Sequence, residues 1–272
     1  MGIFDFFSKP YIMGIINITP DSFSDGGLFV DHNKAVDHAV RMAEEGADII
    51  DIGGESTRPG AQPVTTEEEI KRVIPVIRAL SREVNVALSI DTTKARVATE
   101  ALAAGAEMVN DVSALRFDSG MVSVVAHSAV PVVLMHMRGS PRIMQHNTRY
   151  SNLMGEITAF LQERITFAQA GGIEKEKIII DPGIGFGKSL EQGNFSILKN
   201  LADLKALGRP ILVGPSRKAF LGHLLDLPID DREDATAASV AVAIMNGANI
   251  VRVHDVKRMK RVVKVVDAIQ KS

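Results

Sequence analysis

The sequence has no cysteine, which excludes disulfides and thiolate metal sites and suits a reducing compartment. No apolar run approaches the roughly 20 residues that span a bilayer. The opening residues, MGIFDFFSKPY, lack the basic stretch and long apolar core of a secretory leader. Charge of one sign is also missing: the formal net charge is −2 and basic residues are dispersed, so there is no electrostatic footprint for nucleic acid or for an anionic membrane. The histidines show neither H-x-x-x-H nor H-E-x-x-H zinc spacing, and no G-x-G-x-x-G dinucleotide fingerprint follows a strand. What remains is the expectation of a cytoplasmic protein with small-molecule partners, no nucleic acid and no membrane.

The chain of 272 residues, 46% of them hydrophobic and 24% charged, can bury one large core. Short apolar, β-branched runs of strand length recur along it: Tyr11 to Ile16, Ala47 to Ile52, Val86 to Ile90, Glu107 to Asn110, Pro131 to Met135, Lys177 to Asp181, Pro210 to Gly214 and Asn249 to Val253. Helical patterns lie between them, as at 33–45, 67–83, 94–104, 152–170, 235–246 and 256–270. Strands apolar throughout are buried on both faces, and their alternation with helices implies parallel pairing. About eight such units close into an α/β fold of the (β/α)8 TIM barrel type, a single domain over 1–272. A doubly wound open sheet fits the strand count less well and would want the missing fingerprint. The Gly-, Pro-, Ser- or Thr-rich stretches 19–31, 55–66 and 138–151 follow strands and are expected to cover the barrel mouth as lids.

Every strand ends in a polar residue: Asn17, Asp51, Asp91, Asn110 with Asp111, His136, Asp181, Ser216, and Arg252 with His254. In a barrel these ends meet at one mouth, where sites are built. Arg252 and His254 are two apart and project to one face, which suits a phosphate or diphosphate; a carboxylate elsewhere at the mouth would serve them equally. Asp91 and Asp181 stand across the mouth, and metal binding, acid/base work and recognition of ring N–H groups all remain open. The stretch PGIGFGKS after Asp181 is no P-loop, because Pro182 occupies the place of the first glycine. Its glycines suit a tight turn beside a ligand, with Phe186 available for an aromatic contact. Ser216, Arg217 and Lys218 close a strand and open a helix, where cations oppose the helix dipole and so need a compensating partner. The remaining histidines read as structural or solvent-facing, and the methionines as core.

Longer motifs then carry a resemblance. IMGIINITPDSFSDGG (Ile12 to Gly27) and DIGGESTRPGA (Asp51 to Ala61) resemble the first two signatures of the dihydropteroate synthases. SIDT (Ser89 to Thr92), VNDVSA (Val109 to Ala114), DPGIGFGK (Asp181 to Lys188), GPSRKAFLG (Gly214 to Gly222) and RVHDV (Arg252 to Val256) follow in the family's order. The resemblance implies condensation of 6-hydroxymethyl-7,8-dihydropterin pyrophosphate with p-aminobenzoate, releasing pyrophosphate. It implies a pterin pocket of Asp91, Asn110, Asp181 and Lys218, and a pyrophosphate site of Asn17, Arg58, Arg252 and His254. Magnesium would be held by Asn17 and Asp25, and p-aminobenzoate by Phe23, Thr57, Pro59, Phe186 and Ser216. Asn17, Asp91, Lys218, Arg252 and His254 would form the catalytic set, in a homodimer. The family's chemistry is dissociative and needs no covalent enzyme intermediate, which agrees with the lack of a nucleophile constellation. Ala219 departs from relatives that carry a hydroxyl or cation after Ser-Arg-Lys, leaving the p-aminobenzoate carboxylate to Ser216 and helix N–H groups.

Two other functions fit such a barrel. A cobalamin-dependent methyltransferase half would share the pterin pocket, but the D-x-H-x-x-G corrinoid signature is missing. A silent pterin-binding barrel would not be expected to keep both the pterin and the pyrophosphate sets. On the three-group reading, removing Arg252 is expected to impair pyrophosphate binding while leaving the pterin pocket intact.

Overall fold

The computed structural model describes residues 5–18, 27–58 and 60–272, with residues 27–31 as backbone alone. Eight short parallel strands form its centre: β1 (Tyr11–Asn17), β2 (Ile49–Gly53), β3 (Ala87–Asp91), β4 (Met108–Asp111), β5 (Val132–Met135), β6 (Ile178–Asp181), β7 (Leu212–Val213) and β8 (Ile250–Val253). Their order is β6-β5-β4-β3-β2-β1-β8-β7, and a bridge between Ile180 and Ile211 joins the two ends. The sheet thus closes as the expected (β/α)8 barrel. The seventh strand is shorter than its apolar run suggests. Pro210 has no N–H to give, and that of Ile211 is taken by the side chain of Asn249 at 2.9 Å, so regular pairing begins only at Leu212.

The helices are α1 (Gly27–Glu44), α2 (Thr66–Glu83), α3 (Ala95–Ala104), α4 (Met121–Ser128), α5 (Leu153–Ala170), α6 (Gly193–Lys199), α7 (Ala219–Leu225), α8 (Glu233–Met245) and α9 (Val256–Lys271). Local chemistry explains their ends. Thr65 accepts a hydrogen bond from the N–H of Glu68, and Glu67, Glu68 and Glu69 lie in the first turn of α2, where carboxylates complement the helix dipole. Helix α1 already begins at Gly27, inside the stretch expected as loop. Helices α4, α6 and α7 were not separable by period: α4 reads MVSVVAHS, apolar and β-branched like a strand, and the other two span 7 residues each. No helix among the described residues is long and apolar enough to cross a membrane.

Strand alternation then sets the position of the site. Met13, Ile49, Ala87, Met108, Val133, Ile179, Leu212 and Ile250 pack into one buried cluster with Phe6 and Tyr11, plugging the barrel interior. The intervening residues, such as Ile12, Ile50, Leu88, Val109, Leu134, Ile180 and Val251, belong to the separate core beneath the helices. Each fully buried isoleucine contributes on the order of 2 kcal/mol of transfer free energy. Side chains two residues further along a strand return to the same face. From the plug, that step reaches Ile15, Asp51, Ser89, Asn110, Met135, Asp181, Gly214 and Arg252. An apolar floor therefore carries a largely polar layer directly above it, at the C-terminal end of the barrel.

Candidate active site

The polar layer is hydrogen-bonded across the barrel. Asp51 is fully buried; its Oδ2 accepts from Asn110 Nδ2 at 2.9 Å and from Arg252 Nε at 2.6 Å. Arg252 Nη2 donates to Asp91 Oδ2 at 2.8 Å. One guanidinium thus ties β8 to β2 and β3. Of the two partners its strand-end position left open, Arg252 has carboxylates of the barrel mouth. Asp51 Oδ1 and Ser89 Oγ are buried with no hydrogen bond among the described residues, so the layer retains polar capacity at its centre.

Opposite, Asp181 ends β6, and its Oδ1 accepts from the N–H of Gly183 at 2.7 Å. The following turn needs glycine. Gly183 has φ +71°, and a Cβ there would lie 2.0 Å from the carbonyl oxygen of His136; Gly185 has φ +86°, with Lys218 Cδ at 3.1 Å from the same virtual atom. Lys218 Nζ lies over the ring of Phe186, 4.3 Å from its centroid. Phe186 joins Val112, Met135, Met137 and Met144 in a small apolar cluster of its own. These methionines were expected to belong to the general core, yet they wall one side of the mouth.

Burial dominates the electrostatics. It pushes Asp91 up to about 7, against the pull of Arg252 and with help from Asp51, Glu69 and Asp111. It pushes Asp181 up to about 6, opposed by the Gly183 N–H and by Lys188, Lys218 and Arg252. Lys218 falls to about 8 through burial and Arg252, while Asp181 and Asp91 hold it up. Carboxylates and amine are thus each drawn toward neutrality, with opposite charges close enough to act on one another.

The last cluster lies where β7 and β8 end. Ser216 Oγ is 2.9 Å from His254 Nδ1 and accepts from the His254 backbone N–H at 3.2 Å. His254 is lowered to about 3 by burial and then by Arg217, Arg252, Lys218 and Arg58. The imidazole is thus held neutral beside several cationic side chains. Arg217, at φ +56°, has the compensating partner its position required: Glu233 Oε1 accepts from its Nε at 2.5 Å.

The structure therefore brings together Asp91, Asn110, Asp181, Lys218 and Arg252, and separately pairs Ser216 with His254. Asn17 ends β1, half-buried, in register with Gly53. Thr57 is half-buried and Arg58 exposed on the loop after β2. Phe23, Asp25 and Pro59 lie outside the described residues. Arg252, expected to be separable from the pterin set, is bonded through its guanidinium to Asp91. Likewise Ser216, assigned by resemblance to p-aminobenzoate, is bonded to His254 of the pyrophosphate set.

Several participants had no assigned role from sequence. Asp51 is the central acceptor, though only its strand-end position pointed to it. Lys94 bridges Glu55, at the root of the loop after β2, and buried Glu69 of α2, the latter at 2.5 Å. Arg72 Nη1 adds a bond to the carbonyl of Gly54 at 2.9 Å, so this loop is anchored at its base. The 138–151 stretch, expected as a lid, is fastened to the turn after β6: Gln145 Nε2 donates to Gly185 O and Tyr150 Oη to Gly187 O, both at 2.8 Å.

Comparison with known proteins places the chain in a family. Residues 13–254 match the family model described as pterin binding enzyme. A dihydropteroate synthase of Synechocystis sp. is 50% identical over 269 residues, covering 98% of this chain and 92% of that protein. A solved structure of dihydropteroate synthase from Clostridium difficile, in the presence of pteroic acid, superposes with a TM-score of 0.94 at 45% identity, covering 99% of this chain and all of that one. The Xanthomonas albilineans enzyme with 4-aminobenzoic acid gives 0.92 at 46% identity, covering 97% and 94% of the two chains.

Proposed function

Because the chain belongs to the pterin-binding enzymes and, among them, to the dihydropteroate synthases, we propose that the polar layer above the apolar plug is where it binds and joins its two substrates. It is a transferase that condenses 6-hydroxymethyl-7,8-dihydropterin pyrophosphate with p-aminobenzoate to give 7,8-dihydropteroate and pyrophosphate. The single observation that carries the site reading is the gathering of Asp91, Asn110 and Asp181 on one ring of strand ends, Asn110 and Asp181 buried and Asp91 half-buried, facing Lys218. A pterin's pyrimidine edge offers an amino group and a ring N–H to carboxylates, and its carbonyl accepts from an amide or ammonium. The methionine wall with Phe186 supplies a flat, polarisable surface for the ring.

Arg252, His254, Arg58 and Asn17 are assigned to the diphosphate. The carbon–oxygen bond breaks first and its electron pair leaves with the diphosphate. The resulting pterin cation is attacked by the aromatic amine, which then loses a proton. Arg252 and the cations around His254 stabilise the leaving charge, and the layer holds the cation in place. Magnesium, when bound, neutralises diphosphate oxygens. The residues fit it modestly: Asn17 offers a hard oxygen donor at the mouth, with Asp25 named by resemblance, and magnesium commonly takes one or two protein oxygens plus phosphate and water. Among the described residues no cluster of three or more His, Asp or Glu could hold a metal without substrate. The amine substrate is assigned to Phe23, Thr57, Pro59, Phe186 and Ser216.

The test is pyrophosphate release. It is expected only when pterin diphosphate, p-aminobenzoate and magnesium are all present; binding of pterin by folded protein with no release under any condition would favour a silent barrel. A pH dependence follows from the raised carboxylates. Their ordinary value lies near 4, so ionising them in the folded protein costs stability, and this cost disappears as pH falls from about 7 toward 4. Pterin recognition needs the ionised acceptors and moves the other way. Between about pH 8 and about pH 5, pterin affinity measured by calorimetry is expected to fall at least about tenfold. A flat profile would remove Asp91 and Asp181 from the pocket.

We also propose one domain over 1–272 working as a homodimer. The support is a set of exposed apolar side chains on the C-terminal helices: Leu224 and Leu225 on α7, Val242 and Met245 on α8, Ile269 on α9. Sedimentation is expected to give twice the 29.4 kDa chain mass, and Met245→Glu to give the monomer; a monomeric unmodified protein contradicts the dimer. Small, charged substrates and a cysteine-free chain support a cytoplasmic setting.

A further inference from the structure

Lys188 is the largest fully buried side chain among the described residues. A lysine in such a place loses its hydration, and a methionine would fill the volume without that cost. Its Nζ lies 2.8 Å from His136 Nδ1 and donates to the His136 carbonyl oxygen at 2.9 Å. The His136 ring is in turn packed edge-on against Phe160, centroids 4.9 Å apart. Nζ also lies 2.9 Å from where a Cβ on Gly183 would stand, directly beneath the residue whose N–H orients Asp181.

This contact is the inner of several fastenings on one turn. Asn194, itself fully buried, accepts from the Gly185 N–H at 2.7 Å. Gln145 and Tyr150 hold the carbonyls of Gly185 and Gly187 from the outside. A turn with φ +71°, +86° and +68° at its glycines has great freedom when unfolded and must be restrained to hold a ligand group. Burial pushes Lys188 well below its ordinary range, despite Asp181, and burial with Lys188 holds His136 at about 2. Lys188 is fully buried and spends its donors on His136, so its amine is turned away from any substrate anion.

We propose that Lys188 is a positioning residue: held by the ring and carbonyl of His136, its amine fastens the turn after Asp181 to the end of β5 and so fixes the direction in which Asp181 presents its second oxygen to the pterin. The inference rests on the reading of Asp181 as a pterin acceptor. Lys188 itself touches no substrate.

The experiment compares Lys188→Met, Lys188→Gln and Asp181→Asn in the full chain, by calorimetry with 6-hydroxymethylpterin and by steady-state kinetics with each substrate varied. Lys188→Met is expected to weaken 6-hydroxymethylpterin binding about tenfold, the equivalent of one hydrogen bond of orientation. KM for the pterin diphosphate should rise with it, and KM for p-aminobenzoate should stay unchanged. Lys188→Gln retains an N–H for the His136 carbonyl and should recover part of the loss; should the methionine variant not fold, glutamine carries the test through its smaller shift in pterin affinity alone. The acid limb of the pH profile should move to higher pH in both variants, since Lys188 is one of the groups that oppose the rise of Asp181. Unchanged pterin affinity in folded Lys188 variants, with Asp181→Asn impaired, overturns the inference and leaves the pocket standing. Normal affinity in Asp181→Asn overturns the pocket itself. A lowered melting temperature with all ligands weakened equally would make Lys188 merely structural and also overturns the inference.

Discussion

Asp181→Asn is expected to raise the pterin dissociation constant about a hundredfold while leaving the melting temperature at about pH 8 unchanged or higher. The two signs come from one fact, burial. The amide keeps an oxygen for the Gly183 N–H, which donates to Asp181 Oδ1 at 2.7 Å, so the turn after β6 survives. It also removes a carboxylate that burial pushes up to about 6 and whose ionisation the folded protein must support at neutral pH. Toward the ligand the same change is costly. A donor now faces a donor, a charge-assisted bond is lost and a pterin N–H is left unpaired, together about 3 kcal/mol. Calorimetry with 6-hydroxymethylpterin beside thermal melting reads both quantities. A variant that loses stability and keeps affinity would show Asp181 to be a structural residue.

Arg252→Ala has the second large effect, and it differs from what sequence spacing suggests. The guanidinium is the partner of Asp51 and of Asp91. Its removal leaves the buried carboxylate of Asp51 with Asn110 alone and the half-buried one of Asp91 without its cation, a change that costs on the order of 3 kcal/mol of stability. Without Arg252 the carboxyl of Asp91, already raised to about 7, rises further and is protonated at neutral pH. Pterin affinity is therefore expected to fall with pyrophosphate affinity, and to recover in part as pH is raised. Turnover should drop about 100- to 1000-fold, the usual consequence of deleting one preorganised group at developing charge. Measurements at two pH values with pyrophosphate and 6-hydroxymethylpterin separate the contributions. Retained pyrophosphate binding in a variant of normal stability would remove Arg252 from both roles.

These two residues also mark what the sequence made legible. The barrel was readable because parallel strands buried on both faces are continuous apolar runs, and because polar residues recur where each run stops. The position of Asp181 needed no more than that. The linkage of Arg252 to Asp51 and Asp91 was not readable, since it spans β8, β2 and β3 and depends on barrel closure; spacing showed only that Arg252 and His254 share a face. Lys188 was hidden for a related reason. It lies in a Gly-rich stretch that resembles a phosphate loop, where a lysine suggests an exposed charge, and only the fold shows its amine turned inward onto His136. Helix α4 was missed because its β-branched apolar residues carry no period distinct from a strand. That the stretch 138–151 is fastened to the turn after β6 was not readable either, because Gln145 and Tyr150 find carbonyls on a neighbouring turn, which composition cannot reveal.

The arrangement is most directly tested by a crystal structure of the protein with the pterin diphosphate and magnesium, compared with the ligand-free molecule. The expected result has the pyrimidine edge within about 3 Å of Asp91, Asn110 and Asp181, with Arg252 donating to a diphosphate oxygen while it stays beside Asp91. A pterin bound away from that layer, or a fully bound diphosphate that Arg252 does not reach, would contradict it.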